Sequence, residues 1–124
     1  MGEKKILVVD DTPIQRAALA LMLDSAGFKV DEAANGQMAL DMFKPGLYAA
    51  IIMDYNMPNM NGFECTQKIR ELESESGSRT PIICMSTANE ANMKEQCLAA
   101  DLDDFLEKDC SLGELTVALM HWVG

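Results

Sequence analysis

Five residues of this 124-residue chain have types and positions that could do chemistry together: Asp10, Asp11, Asp54, Ser86 and Lys108. Each closes or follows a short apolar run. Residues 5–10 read K-I-L-V-V-D, and Asp11 comes next. Residues 49–54 read A-A-I-I-M-D, 81–86 read P-I-I-C-M-S, and 103–107 read D-D-F-L-E, leading to Lys108. A short apolar run bounded by turn residues predicts a strand buried on both faces. The carboxylates, hydroxyl and ammonium would then stand at the C-terminal ends of strands, the edge where open α/β sheets bind ligands.

Three carboxylates brought to one edge repel each other strongly at low effective dielectric. A divalent cation relieves that repulsion, and all-oxygen donors suit Mg²⁺, which keeps several waters. A hydroxyl and an ammonium facing acids around such an ion are the parts needed to hold a phosphoryl group. Positioning and charge neutralisation are nearly all that phosphoryl transfer asks of a protein. Asp54, the central carboxylate, is the natural nucleophile and would give an acyl phosphate. Each residue taken alone has a plainer reading. Asp54 could cap the turn after it, Ser86 could bond to backbone, and Lys108 could be ordinary surface charge.

The elements between these positions decide whether the residues meet. Thr12 can cap a helix whose first turn suits Pro13. Ile14, Ala17, Ala18, Leu21 and Met22 fall on one face of it, and Gly27 ends it. Residues 28–33 predict a short strand, and Asn35-Gly36 turns into a helix at about 37–44 that stops at Pro45-Gly46. The central strand at about 48–53 leads through a loop with Pro58 and Gly62 to a helix at about 62–74 carrying Phe63, Ile69 and Leu72. Residues 73–80, E-S-E-S-G-S-R-T, predict a mobile loop. A weakly apolar helix at about 90–99 precedes the fifth strand. Ser111 can cap the last helix, where Leu112, Leu115, Leu119 and Trp122 share a face.

Five strands alternating with five helices imply a parallel sheet with helices on both faces. Right-handed crossovers prune the topology. The economical answer is a flavodoxin-like (βα)5 three-layer sandwich of order 2-1-3-4-5, in which strands one and three are neighbours. Asp10, Asp11 and Asp54 then converge.

Composition limits the alternatives. Apolar residues make up 48% of the chain, so one domain over residues 1–124 with a real core is expected. The net charge of -10, with no basic stripe, disfavours nucleic-acid binding. No apolar run approaches a membrane span and no secretory pattern opens the chain, so a cytoplasmic location without direct membrane contact is expected. Cys65, Cys84, Cys97 and Cys110 are widely spaced and read as reduced thiols. With His121 the single histidine, zinc is disfavoured, and His121 reads as a surface residue.

The motifs V-V-D-D at 8–11, M-D-Y-N-M-P-N-M-N-G at 53–62, P-I-I-C-M-S-T at 81–87 and D-D-F-L-E-K at 103–108 occur in that order and span the chain. Together they resemble the receiver domain of two-component response regulators. The resemblance implies that Asp54 is the phosphorylated residue. It implies that Asp11, Asp54 and the Asn56 backbone carbonyl bind Mg²⁺, or Mn²⁺ in its place, with Asp10 acting through water. Ser86 and Lys108 would contact phosphoryl oxygens, and Phe105 would be a switch aromatic, its alternative being a plain core residue. The partner would be a histidine kinase or a histidine phosphotransfer domain. No independent turnover is implied beyond self-phosphorylation and slow autodephosphorylation, and the isolated domain would be a monomer.

The segment 88–108 is similar to receivers of hybrid sensor histidine kinases, which favours a relay receiver that is part of a larger protein. A free-standing single-domain regulator is the alternative. A Mg-dependent phosphohydrolase of the haloacid dehalogenase type is disfavoured, since Asp10-Asp11-Thr12 lacks its intervening residue. A flavin carrier is disfavoured because two acids after strand one would repel its phosphate. Two departures from receivers stand out. Asp101 occupies a usual glycine position, and Asp109 occupies the position of a proline that usually follows the lysine. A cis peptide before a residue other than proline costs roughly 2.5–4 kcal/mol, so a trans 108–109 bond and a rearranged loop at about 108–111 are expected. Lys108 would then be less well ordered.

Overall fold

Alternation along each strand decides which helix layer a residue meets. In β1 (Lys5–Val9), Leu7 and Val9 point to one face and Ile6 and Val8 to the other. The same division holds in β3 (Ala50–Asp54) and β4 (Ile82–Ser86), every residue of which is buried. Burial on both faces is why these runs are continuously apolar instead of alternating. The edge strands β2 (Lys29–Ala33) and β5 (Asp104–Glu107) are more polar. The computed structural model describes residues 4–87 and 92–123.

All neighbouring strands are parallel, in the order β2-β1-β3-β4-β5. Five helices join or follow them: α1 (Pro13–Ser25), α2 (Gly36–Met42), α3 (Gly62–Glu73), α4 (Met93–Ala99) and α5 (Leu112–Val123). Leu23 of α1 and Leu115 and Leu119 of α5 pack on the Ile6, Val8 and Ile52 face. Ala39 of α2, Cys65 and Ile69 of α3, and Met93 and Cys97 of α4 pack on the other. The three-layer flavodoxin-like architecture is therefore present as expected. Among the described residues no helix is long and apolar enough to cross a membrane.

Helix α1 corrects the sequence reading. Ile14 and Leu21 were expected in the core, yet they are 81% and 70% exposed, and Ala17 and Ala18 also face out. The inward stripe is Arg16, Leu19, Ala20 and Leu23, with Met22 beside it. Two apolar stripes of the same period overlap in this helix. The inward one begins with a charge, Arg16, so periodicity favoured the other. The structure satisfies that charge: Arg16 donates to the Asp10 carbonyl at 2.9 Å and to Glu32 at 3.3 Å. Thr12 stands at the N-cap with Pro13 in the first turn, but its hydroxyl makes no capping bond. Leu72 of α3 and Leu112 of α5 likewise stay exposed, while Ile69, Leu115 and Leu119 are buried. Phe63 is half-buried, packed against the core and tilted 4.6 Å from Tyr55. Ser111 caps α5 as expected, its Oγ accepting from the Glu114 amide at 3.1 Å.

The polar loop at 73–80 is tied at both ends. The Arg70 guanidinium donates to Glu73, to the Thr80 carbonyl and to Asp103, each at 2.8 Å. Glu73 in turn accepts the Thr80 amide at 2.6 Å, and Asp103 accepts the Ile82 amide at 2.8 Å. Glu73 and Thr80 are buried, and buried charges of this kind persist because each is paired and hydrogen-bonded. Asp101 adopts φ 73, the left-handed geometry for which glycine is the usual choice. Its carboxylate lies 3.1 Å from Arg79, so the substitution for glycine adds an ion pair where it costs backbone strain.

Candidate functional site

The sheet order places the ends of β1 and β3 side by side, with Val9 paired to Met53. Asp10 and Asp54 therefore leave adjacent strands at one edge, and Asp11 follows on the β1–α1 connection. Carboxylate oxygens of Asp10, Asp11 and Asp54 lie within 4.8 Å of one another. Asp10 is held by its own turn: its Oδ1 accepts the Thr12 amide at 2.9 Å, and Arg16 holds its carbonyl. Three acids this close, two of them buried, form a donor set that fits a hard divalent cation.

Asp54 is only 2% exposed. Its Oδ1 accepts from the Lys108 ammonium at 2.8 Å and from the Asn56 amide at 3.3 Å. Its Oδ2 is buried without a hydrogen-bond partner among the described residues. Burial pushes the Asp54 carboxyl up to about 6. Lys108 opposes that rise and the nearby Asp10 charge adds to it. An unsatisfied carboxylate oxygen in an acidic cluster is costly to leave unpaired. Such an atom fits the requirement for a metal or an incoming phosphorus.

Lys108 follows β5, and its amide bonds to the Ser86 carbonyl at 2.9 Å. Its side chain crosses the edge to Asp54, where the ammonium pairs with Oδ1. No peptide among the described residues is cis, in line with the trans 108–109 bond expected from Asp109. Ser86 ends β4 fully buried, and its Oγ has no hydrogen-bond partner among the described residues. Phe105 sits half-buried in β5 beside Cys84, packed on the same sheet face as α4. Asn56 is exposed in the loop after β3.

The α3 helix holds this loop close. Gly62 donates its amide to the Tyr55 carbonyl at 2.9 Å, and a Cβ on Gly62 would stand 2.6 Å from the Asp54 carbonyl oxygen. Asn61 and Glu64 form a reciprocal capping box at the start of α3. Residues 88–90 of the loop between β4 and α4, a loop expected to shift on phosphorylation, lie outside the described residues, as does the expected start of the fourth helix at 90–91.

Two residues near the site were not anticipated. Arg16 secures the Asp10 carbonyl, and Gln15 accepts from the Lys108 ammonium at 3.3 Å. Both lie in the first turn and a half of α1, four and five residues after Asp11. That placement is the one sequence signal they carried. Gln15, Asp54 and Lys108 also border a cavity of about 140 Å³ between α1 and α5, floored by Leu19, Met22 and Leu115.

A doubly wound parallel sheet with an acidic trio, a lysine and a buried hydroxyl at one edge defines a phosphoacceptor type of module. Comparison with known proteins gives the family: residues 6–120 match the model of the response regulator receiver domain, and the chain belongs to that family. It is 33% identical over 121 residues to the sensor histidine kinase GacS of Pseudomonas protegens, covering 97% of this chain and 13% of that protein. It is also 33% identical over 126 residues to hybrid signal transduction histidine kinase B of Dictyostelium discoideum, covering 94% of this chain and 6% of that protein. Among solved structures it resembles the receiver domain of sensor histidine kinase PA1611 from Pseudomonas aeruginosa PAO1, which has magnesium in its active-site cleft. The TM-score is 0.86 at 34% identity, covering 99% of both chains. It also resembles the receiver domain of Ssk1 in complex with the histidine phosphotransfer protein Ypd1 of Saccharomyces cerevisiae. There the TM-score is 0.88 at 27% identity, covering 98% of this chain and 89% of that one.

Proposed function

We propose that this chain is the phosphoacceptor of a phosphorelay, with Asp54 as the residue that carries the phosphoryl group. The observation that carries the reading is the state of Asp54: buried, clustered with Asp10 and Asp11, with one oxygen on Lys108 and the other unpaired. An Asp54 oxygen attacks the phosphorus of a phosphohistidine, the P–N bond breaks, and the imidazole leaves as the acyl phosphate forms. Lys108 neutralises the charge that develops on the phosphoryl oxygens. Ser86, with a free hydroxyl, supplies a hydrogen bond to one of them. Asp11, Asp54 and the Asn56 carbonyl would hold Mg²⁺, or Mn²⁺ in its place, with Asp10 acting through water, and the ion would supply the remaining charge compensation. Magnesium in the cleft of the PA1611 receiver supports this assignment.

The partner is a histidine kinase or a histidine phosphotransfer domain, and the location is cytoplasmic. The complex of the Ssk1 receiver with Ypd1 supports that kind of partner. So does α1, which starts beside the acidic trio and exposes Ile14 and Leu21 as an apolar stripe. The phosphoryl group adds about -1.5 to -2 charges. It draws Ser86 and Lys108 inward, and Phe105 follows toward Ser86, so that α4, β5 and α5 carry the output. This chain spans a small fraction of the length of relatives such as GacS.

Incubation with acetyl phosphate and Mg²⁺, read by intact mass, tests the assignment: wild type gains one phosphoryl group and Asp54→Ala gains none. Equal labelling of the two would sink it. Replacing Ile14 and Leu21 together by Glu is expected to slow labelling from a phosphorylated phosphotransfer domain at least tenfold while leaving acetyl-phosphate labelling unchanged. A uniform effect on both donors would remove α1 from the docking surface.

A further inference from the structure

The Lys108 ammonium has to serve two different anions. It bonds Asp54 Oδ1 at 2.8 Å before reaction. After phosphoryl transfer the negative charge lies further out, on terminal oxygens two P–O bonds beyond the carboxylate oxygen. A point charge on a flexible four-carbon stem does not choose its place by attraction alone, and fixing such a side chain costs conformational entropy. The backbone of Lys108 is fixed by its amide bond to the Ser86 carbonyl and by the turn that Cys110 closes on Glu107. The stem beyond it borders the α1–α5 cavity, whose floor of Leu19, Met22 and Leu115 offers the ammonium nothing to bond.

One polar group stands on the α1 side of that stem. Gln15 Oε1 accepts from Lys108 Nζ at 3.3 Å, across 93 positions of sequence. We propose that Gln15 is a positioning residue for Lys108, tethering its ammonium to α1 at the mouth of the cavity so that it stays over the phosphoryl site through the transfer. The chemistry of the side chain suits the task. A neutral amide oxygen orients an ammonium without cancelling its charge, whereas a carboxylate at that point would compete with the phosphoryl oxygens. Gln15 also neighbours the exposed Ile14, so the tether joins the lysine to the helix face on which a partner would dock.

This inference rests on Asp54 being the phosphoacceptor, and the test separates the two. The probe is acetyl phosphate with Mg²⁺, and the readout is the rate of Asp54 labelling as each concentration is varied. Gln15→Met keeps the length and helix preference of the side chain and removes the acceptor. It is expected to lower the maximal rate about fivefold, the loss of one charge-assisted hydrogen bond in the transition state, with the half-saturating Mg²⁺ concentration unchanged. In a Lys108→Met background the same substitution is expected to change nothing, because the effect travels through the ammonium. A wild-type rate for Gln15→Met, a raised Mg²⁺ requirement in place of a lowered rate, or an equal slowing in the Lys108→Met background each overturns the tether. Absence of labelling in wild type, or labelling of Asp54→Ala, overturns the phosphoacceptor reading and the tether with it.

Discussion

Replacing Asp54 by Asn should make the metal-free protein more stable. The substitution keeps the shape of the side chain and removes its charge. Burial is the main reason that this carboxyl is pushed from 3.8 up to about 6, with the Asp10 charge adding to the rise. The attraction of Lys108, which works the other way, is already contained in that net value. At about 1.4 kcal/mol for each tenfold change in proton affinity, the ionised side chain costs the folded state about 3 kcal/mol. The sign follows from linkage: a carboxyl that binds its proton more tightly in the folded chain contributes stability below its unfolded value. That contribution is lost as the pH rises through about 6. An Asn at this position still leaves a buried polar atom unpaired, which reduces the gain to about 2 kcal/mol. Urea unfolding in EDTA at about pH 7.5 should then show a midpoint raised by about 1 M, given the usual slope of about 2 kcal/mol/M. The advantage should shrink to nothing at about pH 3, below the unfolded value of 3.8, where the wild-type carboxyl is protonated in both states. Saturating Mg²⁺ should stabilise wild type and leave the variant nearly unmoved. An Asn variant no more stable than wild type in EDTA, or an advantage independent of pH, would refute the reasoning.

Arg70→Met should destabilise the protein by about 3–5 kcal/mol, because it strips the buried Glu73 carboxylate of its ion-pair partner and leaves Asp103 with Arg79 alone; a loss under about 1 kcal/mol in urea unfolding would show that the network is idle. Gly62→Ala should cost more than about 2 kcal/mol, since its new Cβ would meet the Asp54 carbonyl oxygen at 2.6 Å. The backbone must shift to admit it, so acetyl-phosphate labelling should slow as well, and a stable variant with wild-type labelling would contradict the close approach.

What the sequence made legible followed from continuous signals. Runs such as I-L-V-V and I-I-M are apolar on both faces because their strands are covered on both faces, so strand positions and the ends that carry Asp10, Asp54 and Ser86 could be read directly. What it hid were choices between equivalent patterns. Both stripes of α1 have the period of a helix, and the one with Arg16 in it is the core stripe because Asp10 and Glu32 satisfy the guanidinium. The loop at 73–80 looked mobile because its composition is polar, yet Glu73 and Thr80 are buried by a partner, Arg70, in the preceding helix. Gln15 carried no signal beyond its place four residues after Asp11, since its contact is with a lysine far along the chain.

The Arg70 network lies where β4 and β5 begin, while Ser86 and Lys108 lie where the same two strands end. A beam clamped at one end moves most at the other. Ionic ties on Thr80, Ile82 and Asp103 fix the base of both strands, so a pull applied at Ser86 and Lys108 is not dissipated by sliding the strands lengthwise. It becomes a deflection of their tips and of the segments that leave them. Loosening the clamp would let the strands drift as a pair, and the same phosphoryl group would then produce less motion at the surface. On the reading that Asp54 carries the phosphoryl group, the output of the domain would depend on stiffness at the end of the sheet opposite the acidic trio.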